Sequence, residues 1–357
     1  MTAGQIVSGE YPALGVVAGH SVTLHYGNIA AEYASLREGA MLTDRSVRGR
    51  MRFDGPKAAE MLTGLVTNDV LALAPGHGHY AAALSPKGRI VADVRILART
   101  DHLLVDVPPR ARAGFDALVR KYINPRVVPY VDVGADMRQL AIAGAAARAI
   151  LGGAAGLTRE ALAALAPYAH IDAEIAGRPA MIVRAVDLAA DGYEIFVPTD
   201  AFGAIWQRLV AGGATPGGLL AWEIARIENG RPEWGIDIDE TTIPQEANLD
   251  ELHAISYTKG CYTGQEVVAR IHFRGHVNRH LRGLVLGHSE PPVERSVVLS
   301  SEGKQIGDVR SSVLSPRMGA IGMIMVRREV EMGSTVAVEA QSGVIQGQVV
   351  SLPFPQE

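Results

Sequence analysis

The chain has 357 residues, of which 48% are hydrophobic and 20% charged, so it can bury a large core and is expected to fold into two or three packed units. Lys and Arg number 34 against 38 Asp and Glu, and the net charge of -4 argues against a surface that mainly neutralises nucleic-acid phosphates. The composition excludes the disordered, collagen-like and fibrous classes of protein.

The chain contains a single cysteine, Cys261. One thiol cannot form an internal disulfide or a thiolate-rich zinc site, which is typical of a protein in a reducing compartment. The N-terminus lacks the basic start and continuous apolar core of a secretion signal, and the Ala-rich stretch 141–166 is interrupted by charged residues. We therefore expect a cytoplasmic protein that neither binds nucleic acid directly nor associates with membranes.

The first third of the chain predicts helices over a small antiparallel sheet. A Gly-Pro turn at 55–56 precedes a helix, and residues 80–84 and 90–97 form a hairpin around the turn 85–88. A third strand is expected at 102–107, followed by a helix that opens on two prolines. Antiparallel strands and helices in this order are typical of an α+β unit.

The rest of the chain predicts a second α+β unit and a terminal all-β unit. Helical signals dominate from Gln139 to Pro167, strands are expected at 181–184 and 193–197, and Asp200 is predicted to cap the next helix. From Leu281 onward only short strand-like runs occur, separated by Gly, Ser and Pro turns. This pattern indicates a C-terminal β-barrel or sandwich.

The most unusual local sequence is an octapeptide that surrounds the only thiol with glycines and places a cation two residues before it. Its members are Lys259, Gly260, Cys261, Tyr262, Thr263, Gly264, Gln265 and Glu266. The charge of Lys259 could lower the thiol pKa and make Cys261 a nucleophile or a redox thiol. The alternative is an inert, packed cysteine in a turn, which is the commoner fate of a lone cysteine.

The octapeptide resembles the signature of the YgfZ-type folate-binding proteins, which are relatives of the glycine-cleavage aminomethyltransferase T-protein. Further segments resemble that superfamily in the same order along the chain, so the resemblance covers most of its length. These segments are 25–27, 41–46, 65–70, 75–76, 79–80, 84–89 through Asp93, 191–195, 222–230 and 236–240 through Pro244.

The resemblance implies an α+β, three-unit, cloverleaf-like T-protein fold with a C-terminal β-barrel and a central channel for tetrahydrofolate. The domains expected from it are a discontinuous folate-binding domain formed by 1–52 and 134–250, and a ferredoxin-like domain at 53–133. A segment at 251–280 carries the octapeptide, and 281–357 forms the barrel.

The resemblance also implies which residues contact the folate. Asp93 occupies the place of the aspartate beside the folate nitrogen, where a carboxylate can accept or relay a proton. Glu194 occupies the place of the glutamate that accepts hydrogen bonds from the pterin ring, and Tyr80 that of a folate-side tyrosine. From the residues alone, each could equally be an ordinary strand residue.

Two departures from the aminomethyltransferases bear on this expectation. The pterin-side arginine of that family falls at Trp222, which can stack on a ring but cannot provide the guanidinium fork. A loop rich in glycine and tyrosine is replaced by 186–190. Together with the octapeptide, which the T-proteins lack, these departures favour the YgfZ side of the superfamily.

Two other groups of polar residues have part of the pattern of a metal site. His272, His276 and His280 recur every four residues, but Gly275 and Asn278 disfavour a helix that would align them. The acidic group at 237–240 lacks a complete calcium-loop pattern and is expected to form a turn or a channel rim. We therefore expect no resident metal.

Three functions remain compatible with the sequence. The resemblance implies a tetrahydrofolate-binding protein that supports the assembly or repair of iron-sulfur enzymes, with an indirect effect on tRNA modification and with client enzymes or assembly factors as partners. One cysteine would make only transient or shared contact with a cluster. The alternatives are a folate-dependent aminomethyltransferase or demethylase, with Asp93, Lys259 and Cys261 as candidate catalytic residues, and a folate-independent interaction protein.

Overall fold

The computed structural model describes residues 12–188, 190–287, 290–340 and 343–355, so the first 11 residues of the predicted folate-binding domain lie outside it. The α-helices are α1 Ile29–Glu38, α2 Ala58–Thr63, α3 Arg112–Tyr122, α4 Ala147–Ala155, α5 Arg159–Ala163, α6 Phe202–Ala211, α7 Leu219–Glu228 and α8 Gln265–Arg274. The strands are β1 Ala13–Val17, β2 His20–His25, β3 Met41–Asp44, β4 Gly49–Asp54, β5 Gly78–Leu84, β6 Ile90–Ala98, β7 His102–Val107, β8 Tyr130–Asp132, β9 Met137–Ala143, β10 His170–Ile175, β11 Arg178–Ala185, β12 Gly192–Pro198, β13 Thr215–Pro216, β14 Arg279–Gly287, β15 Val297–Leu299, β16 Gln305–Ser315, β17 Gly319–Arg327, β18 Thr335–Ala340 and β19 Gly343–Val350.

One sheet has five strands in the order β5-β6-β7-β4-β8. Side chains alternate between its two faces, and one face packs against α2 and α3 through residues such as Phe53 and Phe115. The opposite face carries Tyr80 and Asp93, whose strands pair so that Tyr80 lies opposite Arg95. The second face is therefore the one that presents polar groups to the centre of the molecule.

A second sheet has six strands in the order β10-β11-β12-β9-β3-β13. Strand β3, from the start of the chain, pairs with β9 and so joins a sheet whose other strands come after residue 130. One face packs against α4 and α6, and the other carries Thr43, Ala141 and Glu194 in one row across β3, β9 and β12. This row faces the centre of the molecule.

The two sheets meet through a shared hydrophobic cluster. Tyr80 and Leu104 of the five-stranded sheet pack with Val183 and Phe196 of the six-stranded sheet, and Tyr262 of the octapeptide joins them. Residues that follow both sheets in sequence therefore close the space between them. The polar residues described below lie at this junction.

The C-terminal strands form a closed barrel in the order β14-β17-β16-β15-β18-β19. Its interior contains apolar side chains such as Leu284, Ile324 and Val338. The outside of β17 packs against α7 through Ile321 and Met323. The predicted α+β class with a C-terminal β-barrel is confirmed, whereas the predicted domain limits stay predictions.

Two local predictions were wrong. Residues 137–143 form β9 instead of the start of a helical region, because this short apolar run is covered on both sheet faces and carries no period that separates strand from helix. Asp200 lies in a 3₁₀ turn, Thr199–Ala201, and does not cap α6; its carboxylate pairs with Arg178 instead. Among the described residues, no helix is long and apolar enough to cross a membrane.

Candidate functional site

The hairpin of β5 and β6 brings Tyr80 and Asp93 together. The hydroxyl of Tyr80 donates a hydrogen bond of 2.8 Å to Oδ2 of Asp93. The aspartate is only 6% exposed, and its Oδ1 has no hydrogen-bond partner among the described residues. A buried carboxylate oxygen without a donor is costly, so this atom marks the position where a ligand donor is expected.

The surroundings of Asp93 favour its protonated form. Burial, and secondarily the negative charge of Glu233, raise the pKa of Asp93 to about 6. Burial also raises the pKa of Tyr80 well above its ordinary value, so the phenol stays protonated and remains a donor. A carboxyl group with a pKa near neutrality is suited to proton transfer at physiological pH.

Arg231 lies directly over Tyr80. Its guanidinium carbon is 3.9 Å from the centroid of the tyrosine ring, and NH2 donates a hydrogen bond of 2.9 Å to the hydroxyl of Tyr168. Its Nε lies 3.4 Å from the carboxylate of Asp187. This arginine therefore ties the Tyr80–Asp93 pair to the loop after β11.

Glu194 is held by a second arginine. NH1 of Arg95 lies 2.6 Å from both carboxylate oxygens of Glu194 and 3.2 Å from Oδ2 of Asp106, and NH2 pairs with Asp187. The amide of Gln139 donates a further hydrogen bond of 2.8 Å to Glu194. Because Arg95 and Arg231 outweigh the effect of burial, the pKa of Asp187 lies below its ordinary value.

These contacts form one connected group, which we call the central polar cluster. Asp187 links the two arginines, so contacts run without interruption from Asp93 at one end to Glu194 at the other. Its members are Tyr80, Asp93, Arg95, Gln139, Tyr168, Asp187, Glu194 and Arg231. Three residues predicted from the sequence thus lie in the same buried cluster.

Trp222, the remaining predicted folate-side residue, lies on the buried face of α7. Its ring contacts a guanidinium from a different part of the chain, since the Cζ atom of Arg45 lies 4.4 Å from the ring centroid. The helix thus places an aromatic face next to a cation that follows β3.

The octapeptide is attached to the five-stranded unit by Lys259. Its Nζ donates hydrogen bonds of 2.5, 2.5 and 3.0 Å to the carbonyl oxygens of Thr63, Val66 and Asn68. Nζ also lies 4.5 Å from the centroid of the Tyr262 ring. Burial lowers the pKa of Lys259 to about 8. These contacts give the lysine a structural role, and its predicted action on the thiol stays a prediction.

The rest of the octapeptide forms a tight connection into α8. Gly264 has a φ of +82°, and a β-carbon there would lie 2.6 Å from the carbonyl oxygen of Ser85, so only glycine fits. The amide of Thr263 donates to the carbonyl of Gly64 at 3.0 Å, and the side chain of Gln265 accepts from the amide of Tyr262 at 3.3 Å.

Three octapeptide positions make no such attachment. The thiol of Cys261 is exposed, and so is the side chain of Glu266. A β-carbon at Gly260 would meet nothing within 4 Å. Cys261 is therefore displayed on a segment that is fixed on both sides of it.

In the two groups that have part of a metal-site pattern, His272 and the acidic residues at 237–240 make structural contacts. Helix α8 ends at Arg274, so His276 and His280 lie outside the helix that carries His272. The imidazole of His272 stacks on Tyr257, with ring centroids 3.6 Å apart. Asp237 accepts hydrogen bonds from Arg226 at 2.7 Å and from Ser311 at 2.6 Å, so it joins α7 to the barrel.

Sequence reasoning did not identify Arg95, Asp187 or Arg231. Arg95 lies two residues after Asp93 on β6, and the strand period would have placed it on the same face. Asp187 lies in the loop that departs from the aminomethyltransferases, and Arg231 follows Gly230. No local pattern links either residue to its partners in the cluster. Their contacts arise only when the two sheets meet.

Two family models match this chain. The GCVT N-terminal domain matches residues 10–256, and the glycine cleavage T-protein C-terminal barrel domain matches residues 279–355. The two matched ranges include the central polar cluster and the closed barrel, respectively.

Proteins similar to this chain are named aminomethyltransferases. The chain is 30% identical to the aminomethyltransferase of Rubrobacter xylanophilus, with 97% of this chain and 92% of that protein covered. It is also 30% identical to the aminomethyltransferase of Bacillus subtilis, covering 94% of this chain and 93% of that protein. The crystal structure of the glycine cleavage system aminomethyltransferase T from Bartonella henselae superposes with a TM-score of 0.85 at 24% identity, covering 97% of this chain and 95% of that one. The last likeness confirms the predicted T-protein fold.

Proposed function

Because the chain belongs to the glycine cleavage T-protein family, we propose that it binds a tetrahydrofolate in the central polar cluster and transfers a one-carbon unit between that folate and an amine. The family is tetrahydrofolate-dependent, and the similarity to aminomethyltransferases extends over nearly the whole chain. This is the enzymatic alternative that the sequence left open beside the YgfZ-type interpretation.

The observation that carries the proposal is the carboxylate of Asp93. It is buried, it accepts from Tyr80 through one oxygen, and its other oxygen has no donor among the described residues. An amine nitrogen of a ligand would satisfy this oxygen. Burial raises the pKa of Asp93 to about 6, so the group can both accept and return a proton near neutral pH.

The other cluster residues fit a bound folate. Glu194 is an acceptor for the N–H groups of a pterin, and Arg95 and Gln139 hold its carboxylate in place. Arg231, which stacks on Tyr80, places a positive charge beside the Tyr80–Asp93 pair. When bound, tetrahydrofolate supplies the nitrogen atoms that carry a one-carbon unit.

In this function Oδ1 of Asp93 would accept a proton from the ligand amine held beside it, and tetrahydrofolate would supply the nitrogen that carries the one-carbon unit. Tyr80 keeps the carboxylate oriented through its 2.8 Å hydrogen bond, and the negative charge of Asp93 stabilises positive charge that develops on the reacting carbon. Burial at the junction of the two sheets excludes bulk water, which strengthens both effects.

A second candidate function is favoured by the octapeptide. Cys261 is exposed, whereas Lys259 and Gly264 fix the segment on either side of it. This arrangement suits contact with another protein, and we keep as the second proposal a YgfZ-type cytoplasmic protein that supports the assembly or repair of iron-sulfur enzymes, with an indirect effect on tRNA modification. Its partners would be client enzymes or assembly factors.

Anaerobic calorimetric titration with tetrahydrofolate tests the folate site. We expect saturable binding by the natural protein and its loss in an Asp93→Ala, Glu194→Ala double variant. Absence of binding by the natural protein would reject both folate functions and leave the folate-independent interaction protein.

Turnover separates the two folate functions. Formation of methylenetetrahydrofolate from an aminomethyl donor, whose carbon is already at the oxidation level of the product and which releases its amine, would support one-carbon transfer if it is lost in Asp93→Asn. Folate binding without turnover across aminomethyl donors, combined with failure of Cys261→Ala to restore client-enzyme activity in a deletion strain, would support the second proposal. Full restoration by Cys261→Ala would show that the thiol is dispensable.

A further inference from the structure

Arg45 is a buried cation whose charge is not balanced by direct ion pairs in the described part of the chain. The residue is 7% exposed, and its Nε has no hydrogen-bond partner among those residues. Burial, and then the charge of Arg48, lower the pKa of Arg45. The contact that it does make is with Trp222, whose ring centroid lies 4.4 Å from its guanidinium carbon. A buried guanidinium with unused donors is costly unless a ligand satisfies it.

The position of Arg45 in the sheet directs it to the same region as Glu194. Thr43, Ala141 and Glu194 form one row across β3, β9 and β12, and Arg45 follows two residues after Thr43. The amide of Arg45 donates to the carbonyl of Gln139, whose side chain in turn donates to Glu194. The hydroxyl of Thr43 is also buried without a partner among the described residues. Unused polar atoms therefore lie on the sheet face that carries Glu194, with Ala141 between Thr43 and Glu194.

The tryptophan beneath Arg45 stands where the sequence resemblance places an arginine in the aminomethyltransferases. The side chain at 222 cannot donate paired hydrogen bonds, but the guanidinium stacked on it can. The cation that α7 would supply in the relatives is here supplied from the end of β3, and the aromatic ring holds it in place.

Resting on the proposed folate site, we propose that Arg45 is the guanidinium donor of the pterin subsite and that Trp222 is its positioning residue. The C4 carbonyl oxygen of a tetrahydropterin has two lone pairs, so it can accept two N–H donors of one guanidinium. The pterin also presents N–H donors, for which Glu194 is the acceptor. The two side chains would thus bind opposite kinds of atoms on one planar ligand.

The test measures tetrahydrofolate affinity by anaerobic calorimetry for three changes. Loss of a charge-assisted, two-point contact in Arg45→Met is expected to weaken binding about 10- to 100-fold. Arg45→Lys, which keeps the charge but not the fork, is expected to fall between Arg45→Met and the natural protein. The exchange Arg45→Leu with Trp222→Arg is expected to recover binding, because it moves the guanidinium back to α7.

The matched control is Arg138→Met. Arg138 also stacks on an aromatic ring, with its guanidinium carbon 5.0 Å from the centroid of Phe202, but it precedes Gln139 on β9 and points to the other face of the sheet. We expect this variant to bind tetrahydrofolate as the natural protein does.

Without ligand, Arg45→Met is expected to change the near-ultraviolet circular dichroism of the tryptophans, which reports the Arg45–Trp222 contact directly.

The outcomes separate this inference from the proposed function. Natural affinity in Arg45→Met would overturn the role of Arg45 while the folate site stands. If Arg45→Met binds weakly and the folded exchange variant does not recover binding, the role of Arg45 is in packing. That outcome would overturn the proposal that its guanidinium replaces an arginine at position 222. No binding by the natural protein would overturn the folate site, and this inference with it.

Discussion

The hydroxyl of Tyr80 donates a 2.8 Å hydrogen bond to one oxygen of Asp93, and the other oxygen of that buried carboxylate has no donor among the described residues. A single hydrogen bond does not offset the burial of a full charge. The ionised carboxylate therefore destabilises the ligand-free protein, and a ligand that donates to its second oxygen would offset this cost.

Asp93→Asn is expected to stabilise the ligand-free protein at pH 7.5. The folded state raises the pKa of Asp93 from 3.8 to about 6, so it binds the proton more tightly than the unfolded chain does. The free energy of unfolding therefore falls as pH rises from about 4 to about 6. Above pH 6 it is lower by about 3 kcal/mol than below pH 4. Urea unfolding at pH 4 and 7.5 should show a gain for the variant at the higher pH alone.

Asp106→Asn is the control for that experiment. Asp106 is also buried, but its carboxylate pairs with Arg48 at 2.8 Å and with Arg95 at 3.2 Å. Removing its charge leaves two arginines without this partner, and we expect a loss of about 3 kcal/mol. If Asp93→Asn is less stable than the natural protein at pH 7.5, the ionised carboxylate of Asp93 is not a cost to the stability of the folded state.

Tyr80→Phe is expected to shift the pH dependence of one-carbon transfer. The hydrogen bond from Tyr80 favours the ionised carboxylate, so its loss raises the pKa of Asp93 further. If ionised Asp93 accepts the proton, the rate of one-carbon transfer by the natural protein falls below about pH 6, and this acidic limb of the pH profile moves to higher pH by about 1 unit in the variant. An unchanged limb in kcat/KM profiles would show that another group titrates.

Arg95 and Glu194 are expected to differ in the effect of replacement. Arg95→Met leaves Asp106, Asp187 and Glu194 without their shared cation, which should cost about 3–5 kcal/mol in urea unfolding. Glu194→Gln keeps the shape of the side chain and leaves Arg95 paired with Asp106 and Asp187, so it should cost less stability than Arg95→Met, yet bind tetrahydrofolate about tenfold more weakly. Natural affinity in Glu194→Gln would exclude its carboxylate from the pterin site.

Lys259 and Cys261 are expected to differ in how much they contribute to the free energy of unfolding. Lys259→Met removes the donor for three carbonyl oxygens and should lower the free energy of unfolding by about 3 kcal/mol. Cys261→Ser changes an exposed atom and should alter it by less than about 0.5 kcal/mol. Differential scanning calorimetry of both variants decides this; equal losses would mean that the thiol has a packing role.

The sequence predicts the parts of the site that depend on local order. The hairpin that joins Tyr80 to Asp93 is contained in a run of about twenty residues, and alternation along its strands indicates which side chains share a face. Glu194 was placed by resemblance, not by its neighbours. Strand β9 was missed because its short apolar run is buried on both faces.

The arginines were missed for a different reason. Arg95 and Asp187 are 92 residues apart in the chain, and their pairing requires that the two sheets already lie face to face. A strand pattern shows that a charged residue is present on a face but does not identify its partner. Arg45 and Trp222 illustrate the same limit, since neither residue type in isolation signals the stacked pair.

The attachments of the octapeptide divide its positions into two groups. Lys259 and Gly264 are required by carbonyl contacts and by backbone geometry, so natural selection for folding alone would retain them. Cys261 is under no such packing constraint, because its side chain is exposed. Replacement of Cys261 with the flanking residues kept would therefore leave the backbone of this segment intact and remove only what the thiol itself does.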